Sequence, residues 1–248
     1  MTESVRRTSK TVKSTGPVTL ALDVGGSDLK ALLLDATGKA LGKALKHPTP
    51  GPAQPVAVMK VLEQLARQLG PADRCSVGFP GVVRGGRVGT AVNLTPRWVG
   101  MDLQQAMQRR LGIPVRVAND ADVQGLGAIR GNGVELVTTL GTGFGSGLFV
   151  DGVLVPNLEL GHCPFRDGKT FEQLLGNKNL KTIGVARWNR LLRKAIDQLR
   201  VVFNFRRLYL GGGNARLVNF SRPRDVSVVS NRAGLLGGIR LWDRQEVS

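Results

Sequence analysis

Cysteine is nearly absent: the 248 residues hold two, Cys75 and Cys163, far apart and outside any CxxC spacing. Neither a disulfide framework nor a thiolate zinc site can be built from them. Aromatic residues make up only 5%, which argues against stacking platforms for bases. Acidic residues are also few, 18 against 35 Lys and Arg, leaving a formal net charge of +17. No apolar run approaches the ~20 residues of a membrane span. The start, MTESVRRTSKTVKSTGP, is basic and rich in Ser and Thr but has no apolar h-region, so it reads as a disordered arm over residues 1–17 rather than a secretory signal. A cytoplasmic protein is expected.

What is present is an ordinary globular composition, 42% hydrophobic and 21% charged, at a length that allows one large domain or two small lobes. The 33 glycines point to tight turns and close backbone approaches. The positive charge favours polyanionic partners such as nucleic acid, acidic membrane or polyphosphate. The competing reading is a solvated surface with no specific partner.

Periodicity places the elements. VTLALDVGG is a β-branched strand running into a glycine turn, and LKALLLDATGKALGKALK predicts two further strands joined at Ala36-Thr37-Gly38. The Pro-rich stretch 47–52 reads as a linker, with His47 exposed in it. Residues 53–69 predict an amphipathic helix with Val58, Leu62, Leu65 and Leu69 on one face. CSVGFPG is a buried strand, MDLQQAMQRRLG a helix closed by Gly112, and VRVA another strand. A helical stretch over 119–131 precedes ELVTTLGTGFGSGLFVDG, two strands joined by a glycine turn. Then come a loop at 159–162, a short helix near Phe171–Leu175, a long helix at 185–203, and the strand RRLYL before Gly211-Gly212-Gly213. Strand, glycine turn, strand thus occurs twice. This pattern implies two similar α/β lobes with mixed sheets, with the boundary near Ala118 and the lobes spanning 18–118 and 119–248.

Four motifs could carry chemistry. In Asp23-Val24-Gly25-Gly26-Ser27-Asp28-Leu29-Lys30 a strand-end carboxylate precedes glycines whose N–H groups can approach an anion. It is neither a Walker loop nor a dinucleotide fingerprint, since no G-x-x-x-x-G-K-[ST] is present and the next element is a strand rather than a helix. A plain hairpin turn is the alternative. Leu140-Gly141-Thr142-Gly143-Phe144-Gly145-Ser146-Gly147 alternates glycine with other residues, and two such turns in one chain favour a two-sided phosphate clamp. Val117-Ala118-Asn119-Asp120-Ala121-Asp122 puts an Asn-Asp pair at a strand C-terminus, where α/β active sites gather. Either residue could instead cap the next helix. Glu159-Leu160-Gly161-His162 sets a carboxylate and an imidazole around a glycine.

In this order, DVGGSDLK, GFPGVV with Asn93-Leu94 and Trp98, VANDAD, LGTGFGSGLFVDG, ELGH and LYLGGGNA resemble the ROK family of sugar kinases, over nearly the whole folded chain. The resemblance implies a two-lobed actin-like/ribonuclease H-like ATPase fold with an interlobe cleft. It implies Asp120 as the general base acting on a sugar hydroxyl, with Asn119, Glu159 and His162 on the pyranose ring and Asn93 and Glu172 in support. Gly25, Gly26, Ser27, Lys30, Gly141, Thr142 and Gly143 would bind phosphate. Asp23 would position Mg²⁺ through water, and Gly211, Gly212, Gly213 and Asn214 would pack the adenosine of a nucleotide.

The sequence departs from the family in two places. The ELGH loop is followed by Cys163 only, so no structural zinc is expected, and no helix-turn-helix precedes Leu20, against a repressor and specific nucleic-acid binding. The short tail after Gly213 resembles the polyphosphate glucokinases. Such a donor wants a basic groove, and Arg187, Arg190, Arg193, Lys194 and Arg200 recur on one side of the long helix, opposite Val185, Trp188, Leu192, Ile196 and Leu199. The implied partners are a hexose and polyphosphate or ATP, with a homodimer by analogy only. An ATP-only glucokinase or N-acetylhexosamine kinase, and a non-catalytic sugar-binding regulator, are the alternatives.

Overall fold

Alternation sets the first sheet. In β1 (Thr19–Val24) the side chains of Leu20, Leu22 and Val24 enter one core, while Ala21 turns to the opposite face. A computed structural model describes residues 16–91, 94–229 and 232–243. Of the expected arm only Gly16 and Pro17 fall within that range, and Asn93 also lies outside the described residues. β2 (Asp28–Leu34) runs back antiparallel to β1, and β3 (Leu45–Pro48) pairs antiparallel with β2 at the sheet edge. The Pro-rich stretch is therefore a linker only from Thr49 onward. His47 and Pro48 belong to a strand, where Pro48 is tolerated because an edge has one unpaired side. The turn at residues 36–38 forms as expected, but the segment directly after it makes a single bridge, Leu34 to Ala40, rather than a strand. β4 (Arg74–Phe79) pairs parallel with β1, the short β5 (Val83–Arg84) and β6 (Arg87–Val88) form a side ribbon, and β7 (Val115–Asn119) pairs parallel with β4. The sheet order is β3-β2-β1-β4-β7.

The second half repeats this order. β8 (Val134–Leu140), β9 (Phe144–Val150) and β10 (Val153–Val155) form an antiparallel meander. The ribbon β11 (Pro164–Arg166) and β12 (Lys169–Thr170) stands apart. β13 (Arg207–Gly211) and β14 (Val226–Val228) add parallel to β8, giving β10-β9-β8-β13-β14. Position for position the two sheets match, including which pairs are parallel.

Helices cover both faces of each sheet. α1 (Pro55–Leu69) starts on a proline, buries Val58, Met59, Leu62, Leu65 and Ala66, and stops at Gly70. With α2 (Leu103–Leu111), closed by left-handed Gly112, it covers the outer face of the first sheet. α4 (Phe171–Leu175) and α5 (Asn177–Phe203) cover the outer face of the second through Phe171, Leu175, Trp188, Leu192, Ile196 and Leu199. α5 starts eight residues earlier than its periodicity suggests, because Gly184 (φ 76°) breaks it and a shorter helical piece precedes the break. Between the sheets lie α3 (Asp120–Ala128) and α6 (Arg232–Arg240), packed on one another. α3 leans on the second sheet through Leu126. α6 returns to the first, where Ile239 packs with Ala21, Leu32 and Leu34. No helix among the described residues is long and apolar enough to cross a membrane.

Candidate active site

Strand register assembles the cleft. Lys30, Asp23, Gly78 and Ala118 lie side by side across the first sheet, and Gly145, Thr139 and Gly211 across the second. The carboxyl ends of β1, β4, β8 and β13 therefore face a shared opening of about 520 Å³. This is where open α/β sheets collect ligands.

The Asn-Asp pair divides its labour at the start of α3. Asn119 is the cap: its side-chain oxygen accepts from Ala121 N (2.8 Å) and Asp122 N (3.2 Å), and its amide donates to Gly81 O (3.1 Å). Asp120 faces the cleft. Burial pushes its pKa up to about 7; the Asp23 carboxylate adds to this, Ala121 N–H opposes it, and Asp122 and Glu159 push the same way. Asp23 keeps a partner of its own, Lys30 Nζ at 2.8 Å. Burial works against the lysine's charge, but that carboxylate outweighs it and holds the ammonium above its usual pKa.

Both glycine turns have their carbonyls tied back. Gly25 O accepts from the Thr49 hydroxyl (2.6 Å), and Ser27 O from Thr49 N (2.9 Å). Across the cleft, Gly141 O and Thr142 O accept from Asn177 N at 3.0 and 3.2 Å, and Asn214 Nδ2 also reaches Gly141 O. In a planar trans peptide the N–H points opposite to its carbonyl. The Gly26, Thr142 and Gly143 N–H groups are thereby turned away from these anchors.

The third wall is the loop at residues 158–162. Ser146 Oγ donates to Leu158 O (2.6 Å) and accepts from Leu160 N (3.1 Å), which presents Glu159 to the cleft. Glu159 lies 3.6 Å from His162 Nε2. Burial raises its pKa, His162 opposes this, and Glu172 raises it further. Close packing requires a glycine at residue 161, where a Cβ would stand 2.5 Å from the backbone oxygen of Phe144, whereas at Gly143 it would meet the movable carboxylate end of Glu172.

The ROK family model matches residues 19–171. Polyphosphate glucokinase of Mycobacterium leprae (strain TN) is 31% identical over 233 residues, covering 87% of this chain and 72% of that protein. Its counterpart from Mycobacterium tuberculosis (strain ATCC 25177 / H37Ra) is also 31% identical, covering 87% and 88%. The chain belongs to the ROK family. Among solved structures, the inorganic polyphosphate/ATP-glucomannokinase from Arthrobacter sp. strain KM matches with a TM-score of 0.82 at 32% identity, over 91% of this chain and 98% of that one. A ROK family glucokinase from Streptomyces griseus shares the fold at 21% identity and a TM-score of 0.72, over 90% and 98%. The architecture is that of the actin-like ATPases.

One cleft is lined by Asp23, Gly25, Gly26, Lys30, Asn119, Asp120, Gly141, Thr142, Gly143, Glu159, His162, Glu172, Gly212 and Gly213. Ser27, Gly211 and Asn214 do not line it: Ser27 is exposed at the turn tip, Gly211 is buried in β13, and Asn214 braces Gly141. The basic face of α5 does not line it either. Arg187, Arg190, Arg193 and Lys194 are exposed on the outside of the second lobe, and Arg200 is ion-paired with Asp225 and stacked on Phe205. Val185 is 38% exposed and so does not join the buried side of that helix.

Sequence reasoning missed four residues that shape the site: Thr49, Gly78, Gln124 and Ser146. Only Gln124 left a signal, one helical turn beyond Asp120 on the same face, and its amide oxygen sits against Gly211. Thr49 invites a test. Thr49→Val removes the hydroxyl that anchors Gly25 O and should weaken phosphate-donor binding about tenfold, the scale of one lost charge-oriented hydrogen bond. Sugar KM should hardly change, and Thr49→Ser should restore donor KM.

Proposed function

We propose that this protein transfers a terminal phosphoryl group from polyphosphate, and also from ATP, to the 6-hydroxyl of glucose or a similar hexose, with Asp120 as general base. Phosphotransferase activity goes with its family; donor, acceptor and base are the proposal. The observation that carries it is Asp120, which shares the cleft with both glycine turns and whose pKa is pushed up to about 7 by burial and the Asp23 carboxylate. A base acts best when its pKa lies near the working pH. The hexose would lie against Asn119, Glu159 and His162, its hydroxyl directed at Asp120. Asp120 takes that proton as the oxygen attacks the terminal phosphorus, while the glycine-turn N–H groups and Lys30 neutralise the phosphoryl oxygens. Approach of the lobes excludes water as a competing acceptor.

The residues present also fit a magnesium ion. Among the described residues no cluster of three or more His, Cys, Asp or Glu side chains could hold a metal alone, but magnesium in such sites takes one or two carboxylates and completes its shell with water and phosphate. Gly78 leaves room for it, since a Cβ there would lie 3.8 Å from Asp23 Oδ1 and 3.7 Å from Asp120 Cβ. Asp23 would hold the ion, which would neutralise charge on the donor phosphates.

Polyphosphate as a donor draws support from the relatives and from the open donor end, where a Cβ on Gly141 or Gly213 would meet nothing within 4 Å. The test is a matrix of donors and sugars on purified protein with Mg²⁺. Glucose with polyphosphate should give glucose 6-phosphate, at a rate that falls more steeply with salt than the ATP rate. No product from either donor would sink the reading. Product from ATP alone, or only with N-acetylhexosamines, would replace it with the second one. An N-acetylmannosamine kinase of Escherichia coli (strain SE11), 30% identical over 146 residues and covering 55% of this chain and 49% of that one, favours that alternative.

A further inference from the structure

At the opposite end of the second lobe, three arginines share a small cavity. Arg130, Arg206 and Arg207 line about 170 Å³ together with Asn132 and Glu135. These residues sit where β8 and β13 begin, whereas the cleft lies where both strands end. At about 3.3 Å per residue, the length of β8 puts roughly 20 Å between the two places.

The arginines lack acidic partners. Among the described residues none of the three forms an ion pair with a carboxylate. Glu135, fully buried beneath them, is consumed by the fold: it accepts from Arg130 N (2.9 Å), Gly131 N (2.6 Å), Asn132 N (3.1 Å) and the Tyr209 hydroxyl (2.6 Å). Burial would raise its pKa, but those donors outweigh burial and hold it below the usual carboxylate range, so its charge is committed inward. The neighbouring acids are engaged as well. Asp151 accepts from Gly133 N (2.8 Å), and Asp225 pairs with Arg200.

The site is also built rather than loose. Left-handed Gly131 (φ 80°) and Gly133 (φ 65°) fold the loop over Glu135, and Arg206 is aligned by its bond to Asn132 Oδ1 (2.9 Å). Three guanidinium-bearing residues around one cavity suit a tetrahedral oxyanion with several acceptor oxygens. The volume is below the ~300 Å³ at which pockets for drug-sized ligands begin, a size that suits a single phosphoryl group. We propose that this cavity binds a phosphoryl group, as free inorganic phosphate or as one unit of a polyphosphate strand, at a site separate from the cleft.

Calorimetric titration with inorganic triphosphate, without sugar, counts the sites without any turnover. The wild-type chain should bind two equivalents, one in the cleft and one here. The double variant Arg130→Gln/Arg207→Gln should bind one, and Asp120→Asn should still bind two. Arg207→Lys, which keeps the charge but loses the fork, should weaken the second equivalent about tenfold, and serves as the readout if the double variant fails to fold. Adding inorganic phosphate separates the sources: competition at the second equivalent assigns free phosphate, and persistence of triphosphate there assigns a chain unit. A double variant that binds as many equivalents as the wild type overturns the proposal, whatever the cleft contributes. This comparison does not depend on catalysis, so failure of the kinase reading is recognised independently by absent product.

Discussion

Asp120→Asn should lower kcat by about 10²–10⁴-fold, the range that a positioned general base contributes, and should simultaneously make the protein more stable above pH 7. The two effects have one cause. The folded protein holds the Asp120 proton up to about pH 7, whereas an unfolded chain releases it near 3.9. A group with a raised folded pKa adds stability that is complete below the unfolded pKa and is lost as pH rises through the folded one. At pH 8 the ionised carboxylate thus costs the fold about 2–4 kcal/mol, taking 1.36 kcal/mol per unit and discounting for the open cleft. Asparagine matches the protonated acid in shape and never ionises. In metal-free buffer, its melting temperature should equal that of the wild type near pH 4 and exceed it by several degrees at pH 8. Wild-type kcat should rise with pH to a plateau above about 7, and the residual activity of the variant should lack that rise. Loss of less than tenfold would remove Asp120 as the base. A melting difference that shrinks with pH would remove the strained carboxylate.

From the residues alone, without the family resemblance, Asp120 was legible only as one of a pair. Composition made Asn119 and Asp120 equally good caps. The choice falls to tertiary structure, because β7 runs beside β4 in a register that sets Asn119 opposite Phe79 and offers its amide the Gly81 carbonyl. The strongly periodic elements, the residue 53–69 helix and the strands around both glycine turns, could be read with nearly correct ends because local pattern and burial agree there. What failed locally depends on distant partners. Arg200 looked like part of a basic face, yet its ion pair comes from Asp225. Thr49 in a Pro-rich stretch gives no hint that it ties down the turn before β2, which only the antiparallel pairing of β2 with β3 brings beside it. The glycine-rich segment of α6 gave no element by pattern, since glycine disfavours helix; its crossing with α3 explains the glycines.

That crossing carries the second large effect. Gly237→Ala should cost more than about 3 kcal/mol, beyond ordinary overpacking, and should abolish most activity in whatever protein folds. A Cβ at residue 237 would stand 1.6 Å from Val123 O and 3.0 Å from Gly127 N. These are backbone atoms of α3, so no rotamer change can relieve the overlap. α6 cannot retreat either. Its Gly238 carbonyl accepts from Ser76 Oγ, Arg240 reaches Leu126 O (2.9 Å), and Trp242, donating to Ser76 Oγ, lies between Arg74 and Arg116 at 5.2 and 4.8 Å. The methyl group must therefore push α3 away from the first sheet. Because α3 opens with Asp120, that shift moves Asp120 relative to Asp23 and the glycine turn of the same lobe. Gly42→Ala, where a Cβ meets nothing within 4 Å, should stay within about 0.5 kcal/mol of wild type. Urea melts of the two variants separate the cases. If Gly237→Ala unfolds with a midpoint close to that of Gly42→Ala, the helices do not meet as described, and the placement of Asp120 against the first lobe falls with their contact.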